Sequence, residues 1–218
     1  GARIETTTNA RGFSRSVTKN EFGQEVAIKQ EDGTTRRFSY SANHLKMTEN
    51  IDEVGVNTQY FYDNRFNLIQ TKDAVDTPEL RVTDYEVNDL GQVTKVTRRG
   101  RTEQNGVVTP DAVWQMEYDE QGQIKKTTDP EGKVRLYTYN RVGNLVSYTD
   151  PRNYTTRYEV DAMGNMVKST DALSRVRRYE YDKVGNQIKM IDARAKSVLH
   201  AYDAMNRRKE TTNQVSGV

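Results

Sequence analysis

His44 and His200 are the side chains of this sequence best suited to move a proton near neutral pH or to ligate a metal. They are its only histidines, and there is no cysteine. Two histidines are too few for an all-histidine metal site, and the lack of thiols excludes a thiolate nucleophile, a thiolate metal site and a disulfide framework. The 31 Asp and Glu residues could supply an acid/base pair if the fold brought two together. Three basic clusters could grip a sulfated glycan or a phosphate backbone: Arg98-Arg99-Gly100-Arg101, Arg175-Val176-Arg177-Arg178 and Arg207-Arg208-Lys209. Trp114, the single tryptophan, could be a platform for stacking a sugar.

Which of these groups meet depends on the elements that carry them. Only 34% of the 218 residues are hydrophobic, against a usual ~45 to 50%, so the core must be thin. Lys and Arg number 33 against 31 acids, and a net charge of +2 lacks the sustained positive field of a nucleic-acid binder. No apolar run approaches the roughly 18 residues of a spanning helix, and residues 1–10 have neither a basic nor an apolar leader region. Any export signal is expected to lie outside the segment.

The organising feature is a repeat. Tyr118-Asp119-Glu120-Gln121-Gly122 recurs as Tyr139-Asn140-Arg141-Val142-Gly143, Val160-Asp161-Ala162-Met163-Gly164, Tyr181-Asp182-Lys183-Val184-Gly185 and Tyr202-Asp203-Ala204-Met205-Asn206, always 21 residues apart. Eleven residues after each start stands Asp129, Asp150, Asp171, Asp192 or Asn213. The N-terminal half keeps the pattern from starts at Lys19, Tyr40, Tyr62 and Val87, with spacings of 21, 22, 25 and, to Tyr118, 31. The longest spacing reflects an inserted loop at about 98–111, rich in polar residues with Gly100, Gly106 and Pro110. Asn9-Ala10-Arg11-Gly12 matches Asp129-Pro130-Glu131-Gly132, so the chain opens in mid-repeat. Residues 1–218 are therefore expected to be one array, incomplete at both ends.

Each repeat carries two short alternating segments parted by an Asp/Asn-x-x-Gly turn and followed by a second Asp turn, the signature of one β-hairpin. The Gly is expected to supply the positive φ of a type I turn with a G1 bulge, and the Asp or Asn to bond backbone amides two residues on. Eleven of the 13 tyrosines fall at a repeat start or on the strand leading into it, two apart and so on one face, as in Tyr137 and Tyr139. At roughly 25 cal/mol per Å², a well-covered ring contributes up to about 4 kcal/mol, so stacked tyrosines can make up for scarce Leu and Ile. About 18 to 20 strands are expected, more than an open sheet usually holds without curling. The fold class is all-β: tandem antiparallel hairpins of about 21 residues forming a continuous curled or spiralling sheet.

With its 21-residue period, Tyr-Asp start, Gly four residues on and recurring Asp or Asp-Pro turn, the sequence resembles the RHS/YD-repeat family over nearly the whole chain. The match is most specific in residues 118–213. The family includes bacterial Rhs proteins, wall-associated YD proteins, shell components of insecticidal ABC toxin complexes and teneurins. The resemblance implies a hollow β-shell and, in the bacterial toxins, a cocoon around a C-terminal toxin polypeptide. Asn153, Ser174 and Ala195 stand where Gly132 stands, which reads as more than one geometry for the second turn. No terminal region resembles the family's plug, self-cleaving core or toxin domain.

Each candidate site has a plainer structural reading. Asp129-Pro130 and Asp150-Pro151 fit the in-phase turn better than self-cleavage chemistry. His200 occupies the strand position of Tyr137, Tyr158 and Tyr179, and His44 lies in a polar turn. The basic clusters adjoin acids such as Glu103, Glu180 and Glu210 and read as a solvated face, while Trp114 is expected to pack with Met116 and Tyr118. The expectation is thus no enzyme, with no catalytic, cofactor-binding or metal residues. The segment is read as a structural part of a secreted or surface-bound, bacterial shell that encloses a toxin or other cargo. Its partners would be the rest of that shell and the cargo, with no nucleic acid and no membrane span. The alternative is an adhesion module that recognises a glycan through the outer sheet face.

Overall fold

Short alternating segments bounded by Asp-x-x-Gly turns should pair in sequence order, because a tight turn leaves the next segment nowhere else to hydrogen-bond. The computed structural model describes residues 1–12, 14–102 and 106–214, with side chains to 213. Nineteen strands appear among them, and no helix. They belong to one antiparallel sheet. The chain divides into two units, residues 1–115 and 116–218.

The first unit holds β1 (Arg3–Thr8), β2 (Ser14–Lys19), β3 (Glu25–Lys29), β4 (Thr35–Tyr40), β5 (Met47–Ile51), β6 (Asn57–Tyr62), β7 (Leu68–Asp73), β8 (Arg81–Val87) and β9 (Val93–Arg98). β10 (Ala112–Tyr118) crosses the boundary. The second unit holds β11 (Ile124–Thr128), β12 (Val134–Tyr139), β13 (Leu145–Thr149), β14 (Thr155–Val160), β15 (Met166–Thr170), β16 (Val176–Tyr181), β17 (Gln187–Ile191), β18 (Ser197–Tyr202) and β19 (Arg208–Gln214). Within each unit every strand pairs with the next in antiparallel register, from β1 with β2 to β9 with β10 and from β11 with β12 to β18 with β19.

The uneven spacings each have a local cause. At Ser41 the turn is one residue longer than its sisters. Its closing bond runs from the Ser41 amide to the Lys46 carbonyl, five residues on, where Asn140 bonds Asn144, four residues on. That extra residue makes the spacing 22. Between β7 and β8 the second turn is replaced by a longer connection, residues 74–80, in which Ala74 and Asp76 hold φ of 56° and 63°. The 25-residue spacing reflects this loop. Between β9 and β10 the chain makes an isolated antiparallel bridge, Thr102 with Val108, within the expected insertion.

Turn geometry follows the expectation in two respects and departs from it in one. Gly143 and Gly164 hold φ of 88° and 86°, and Asn206 holds 59° in the same role. The expected G1 bulge is there as well: the Gly143 N–H donates to the Asn140 carbonyl at 3.0 Å and the Asn140 N–H to the Asn144 carbonyl at 2.9 Å, so the left-handed glycine and its successor oppose one residue. A further register shift falls one ladder step outside the first turn, between Thr138 and Tyr139, Glu159 and Val160, and Glu180 and Tyr181. The second turn, however, has one geometry rather than several. Asn153, Ser174 and Ala195 hold φ of 63°, 60° and 61° beside 75° for Gly132, and each N–H donates to the carbonyl of the turn's first Asp at 2.9 to 3.0 Å. A left-handed non-glycine residue costs about 1 to 2 kcal/mol. The turn hydrogen bonds offset that cost.

Packing is thin, as the composition requires. Among the described residues Ile28 is the one buried hydrophobic side chain, and Asn50, Thr71 and Ser169 are buried polar ones. These sit opposite rings across the ladder: Asn50 faces Phe38, Thr71 faces Tyr60 and Ser169 faces Tyr158. The tyrosines at and before the repeat starts are half-buried, not covered, so each contributes less than the full burial of its ring would.

Candidate functional site

The recurring device among the described residues is the turn and what the turn bonds. In Asp182 one carboxylate oxygen accepts the amides of Val184 at 3.0 Å and Asn186 at 2.8 Å, while the other accepts the Asn186 side-chain amide at 2.9 Å. Asp161 repeats the pattern with Met163 and Asn165. The amide two residues on was expected. The one four residues on was not, although the carboxylate reaches it because the turn brings the chain back over its own start.

These bonds shift ionisation. The Asn186 side-chain amide, helped by the backbone amides, holds Asp182 below the usual carboxylate value, and Asn165 does the same for Asp161. Backbone amides lower Asp192 and Asp203, led by Lys196 and Arg207. A carboxylate lowered in the folded state contributes stability above its unfolded value, 3.8, which is lost as pH falls through the folded one. Burial raises Tyr40, Tyr62, Tyr139, Tyr158 and Tyr181 above 10.0. A raised group contributes stability that is present below its unfolded value and lost as pH rises through the folded one. The array should therefore melt highest between about pH 4 and 10. Thermal melts are expected to fall at both extremes, and a profile flat from pH 3 to 7 would refute the capping role of the aspartates.

The repeat-start tyrosines carry a second device. The phenol of Tyr139 donates to the Ile124 carbonyl at 2.9 Å, Tyr181 to Met166 at 3.0 Å and Tyr202 to Gln187 at 3.0 Å. Tyr40 and Tyr62 do the same toward Glu25 and Met47. In every case the acceptor lies fifteen residues back, on the strand that leaves the previous repeat's first turn. The ring packs on the sheet while its hydroxyl ties one repeat to the last.

The opposite face carries charge. Glu159 and Lys168 stand directly across the ladder 2.7 Å apart, Glu180 and Lys189 3.1 Å apart, and Glu86 and Lys95 2.7 Å apart. Such exposed pairs contribute little stability, but they keep the face wet. They also correct the expected partners of the basic clusters, since strand neighbours in sequence point to opposite faces. Glu180 pairs with Lys189 while Arg175 pairs with Asp171 at 2.7 Å. Arg99 is held by Asp84 and by Asp111 at 3.1 Å, and Arg207 by Asp203 at 2.7 Å. Glu103 lies outside the described residues.

The remaining candidates find local explanations. His44 takes the left-handed turn position with φ of 58° and stacks on Phe22, ring centres 3.9 Å apart. His200 faces Thr211 across the ladder, its Nδ1 3.1 Å from the hydroxyl, in the register position that Tyr158 and Tyr179 hold in their repeats. Trp114 lies opposite Val96 with the Arg98 guanidinium 5.6 Å from its ring centre, a cation–π contact that its spacing from Met116 and Tyr118 did not reveal. Among the described residues no group of three or more His, Asp or Glu could hold a metal ion. No helix among them is long and apolar enough to cross a membrane.

Comparison with known families decides what this repeat is. The RHS Repeat family matches residues 118–155, 139–176 and 160–197, three placements each advanced by 21 residues. Residues 118–197 are thus RHS repeats. The 21-residue advance of the match agrees with the phase of the array. No curated protein matches the chain by sequence. Among solved structures, the chain is similar to a TcdB2-TccC3 structure without its hypervariable C-terminal region, at 14% identity and TM-score 0.45, over 96% of this chain and 14% of that one. It is similar also to a Tc holotoxin pore of Photorhabdus luminescens with a TccC3 substitution, at 12% identity and TM-score 0.43, over 94% and 15%. A third is a porin-like protein of Bacteroides uniformis, at 10% identity and TM-score 0.32, over 98% and 96%. The chain spans about 15% of the length of the toxin-complex chains it matches.

Proposed function

We propose that this RHS array, residues 1–218 as one run of hairpins with an insertion at about 98–111, is part of the wall of a secreted or surface-bound bacterial shell that encloses a toxin or other cargo polypeptide. The observation that supports this most is the pairing of each internal strand of a unit on both edges, with tyrosines along one face and ion pairs along the other. Such a ribbon extends laterally with no free edge between repeats and keeps both broad faces hydrated. That is what a thin partition needs. The array acts by enclosing. It has no catalytic, cofactor or metal residues of its own, and His44, His200 and the aspartates of the turns serve the fold.

The test is protection from protease of a cargo encoded in the same polypeptide as the array. Deleting residues 118–201 removes 84 residues, four 21-residue periods, and rejoins the repeat in phase. The cargo is expected to survive digestion with the array intact and to be cut after the deletion. A cargo equally protected without these repeats, or selective micromolar binding of a glycan by the array, would overturn the enclosing role in favour of adhesion.

A further inference from the structure

The phenol tie between repeats is broken at Val160, in the second unit. Tyr139, Tyr181 and Tyr202 each send a hydroxyl to the carbonyl fifteen residues back, but the start between Tyr139 and Tyr181 is Val160. Its counterpart acceptor is the Leu145 carbonyl, and valine has neither a ring to cover that strand nor a hydroxyl to donate. The surface opens there into a hollow of about 500 Å³, lined by Tyr139, Leu145, Tyr158, Val160, Met166 and Gly164. Its size falls within the range of ligand sites, and its walls are two rings and three aliphatic or thioether side chains, with Asn144 as the polar one. Gly164, in its left-handed turn, lines one side beside the Asn144 side chain.

We propose that this hollow binds a phenol, an aromatic ring whose hydroxyl donates to the Leu145 carbonyl, whether a small free molecule or a tyrosyl side chain. The sister repeats supply the template. In each of them the same slot, between a first-turn exit strand and the next repeat start, holds a phenol with its oxygen 2.9 to 3.0 Å from the equivalent carbonyl. A ligand of that shape meets the acceptor and the apolar walls that its covalent counterparts meet. A ring lacking the hydroxyl gains only the walls. The inference does not depend on whether the array encloses a cargo.

The test titrates the whole chain with p-cresol, N-acetyltyrosinamide and toluene, following backbone amide resonances. The expected result is saturable shifts confined to residues near Leu145, Val160 and Gly164, with a Kd for p-cresol of roughly 1 mM and several-fold weaker binding of toluene. Val160→Tyr places a ring in the slot and should abolish those shifts while raising the melting midpoint. Val160→Thr, which leaves the hollow open, should retain them. Binding of both phenols supports access by tyrosyl side chains, and binding of p-cresol alone supports a site for small free phenols. The proposal is overturned if neither phenol shifts these residues, if toluene binds as well as p-cresol, or if Val160→Tyr, with an otherwise parental spectrum, binds p-cresol undiminished.

Discussion

Tyr181→Ala is expected to destabilise the second unit by about 3 kcal/mol, and Tyr181→Phe by about 1 kcal/mol. The difference separates the two things the residue does. Phenylalanine keeps the ring against the sheet and loses only the hydrogen bond to the Met166 carbonyl, 3.0 Å from the phenol oxygen. Alanine removes both, and it opens on this repeat the kind of hollow that Val160 leaves on the one before. The alanine figure sits at the low end for aromatic truncation because the ring is half-buried. Denaturant unfolding of the three proteins measures both steps. If Tyr181→Phe unfolds with the parent, the phenol tie contributes nothing. If Tyr181→Ala does so as well, the repeat is not held by its start residue.

Gly164→Val should cost about 2 kcal/mol or more, because a β-branched residue at φ of 86° is held in a conformation it strongly avoids. The space around the site is not the obstacle, since a Cβ there would come no nearer than 3.4 Å to the Asn144 side chain. The converse change tests the same physics in the second turn. Ala195, at φ of 61°, already bears the left-handed penalty, so Ala195→Gly is expected to raise stability by about 1 kcal/mol. Opposite signs from the two substitutions in thermal melts would confirm that both turns use one left-handed residue. A neutral Gly164→Val, or an Ala195→Gly that destabilises, would remove that basis.

The period, the strands and the left-handed glycines were legible in the sequence because each rests on local chemistry repeated at fixed intervals. What was not legible required the register. Asn153, Ser174 and Ala195 suggested several turn geometries, since their side chains share no turn preference; the common geometry comes from bonds to the preceding Asp that residue type alone does not announce. The reach of Tyr139 to Ile124, or of Tyr181 to Met166, joins residues fifteen apart, a distance with meaning only once neighbouring strands are aligned. The pairing of Glu180 with Lys189 rather than an adjacent Arg likewise follows from which face each strand position occupies. The hollow at Val160 was visible in the sequence only as a departure from Tyr, because an absent ring becomes a site when its neighbours are placed.

A partition needs each strand paired on both edges, and β13 offers the most direct measurement of that claim. The Thr138 and Ser147 hydroxyls lie 2.9 Å apart across one edge, and those of Thr149 and Thr155 lie 2.8 Å apart across the other. The chain has no cysteine, so Thr138→Cys with Ser147→Cys and Thr149→Cys with Thr155→Cys can be introduced in separate proteins, oxidised and mapped without background. Both pairs are expected to form disulfides, and to form them in one molecule when all four changes are combined. Closure of only one pair in the combined protein would mean isolated hairpins, and would contradict the continuous sheet on which the structural role of this array rests.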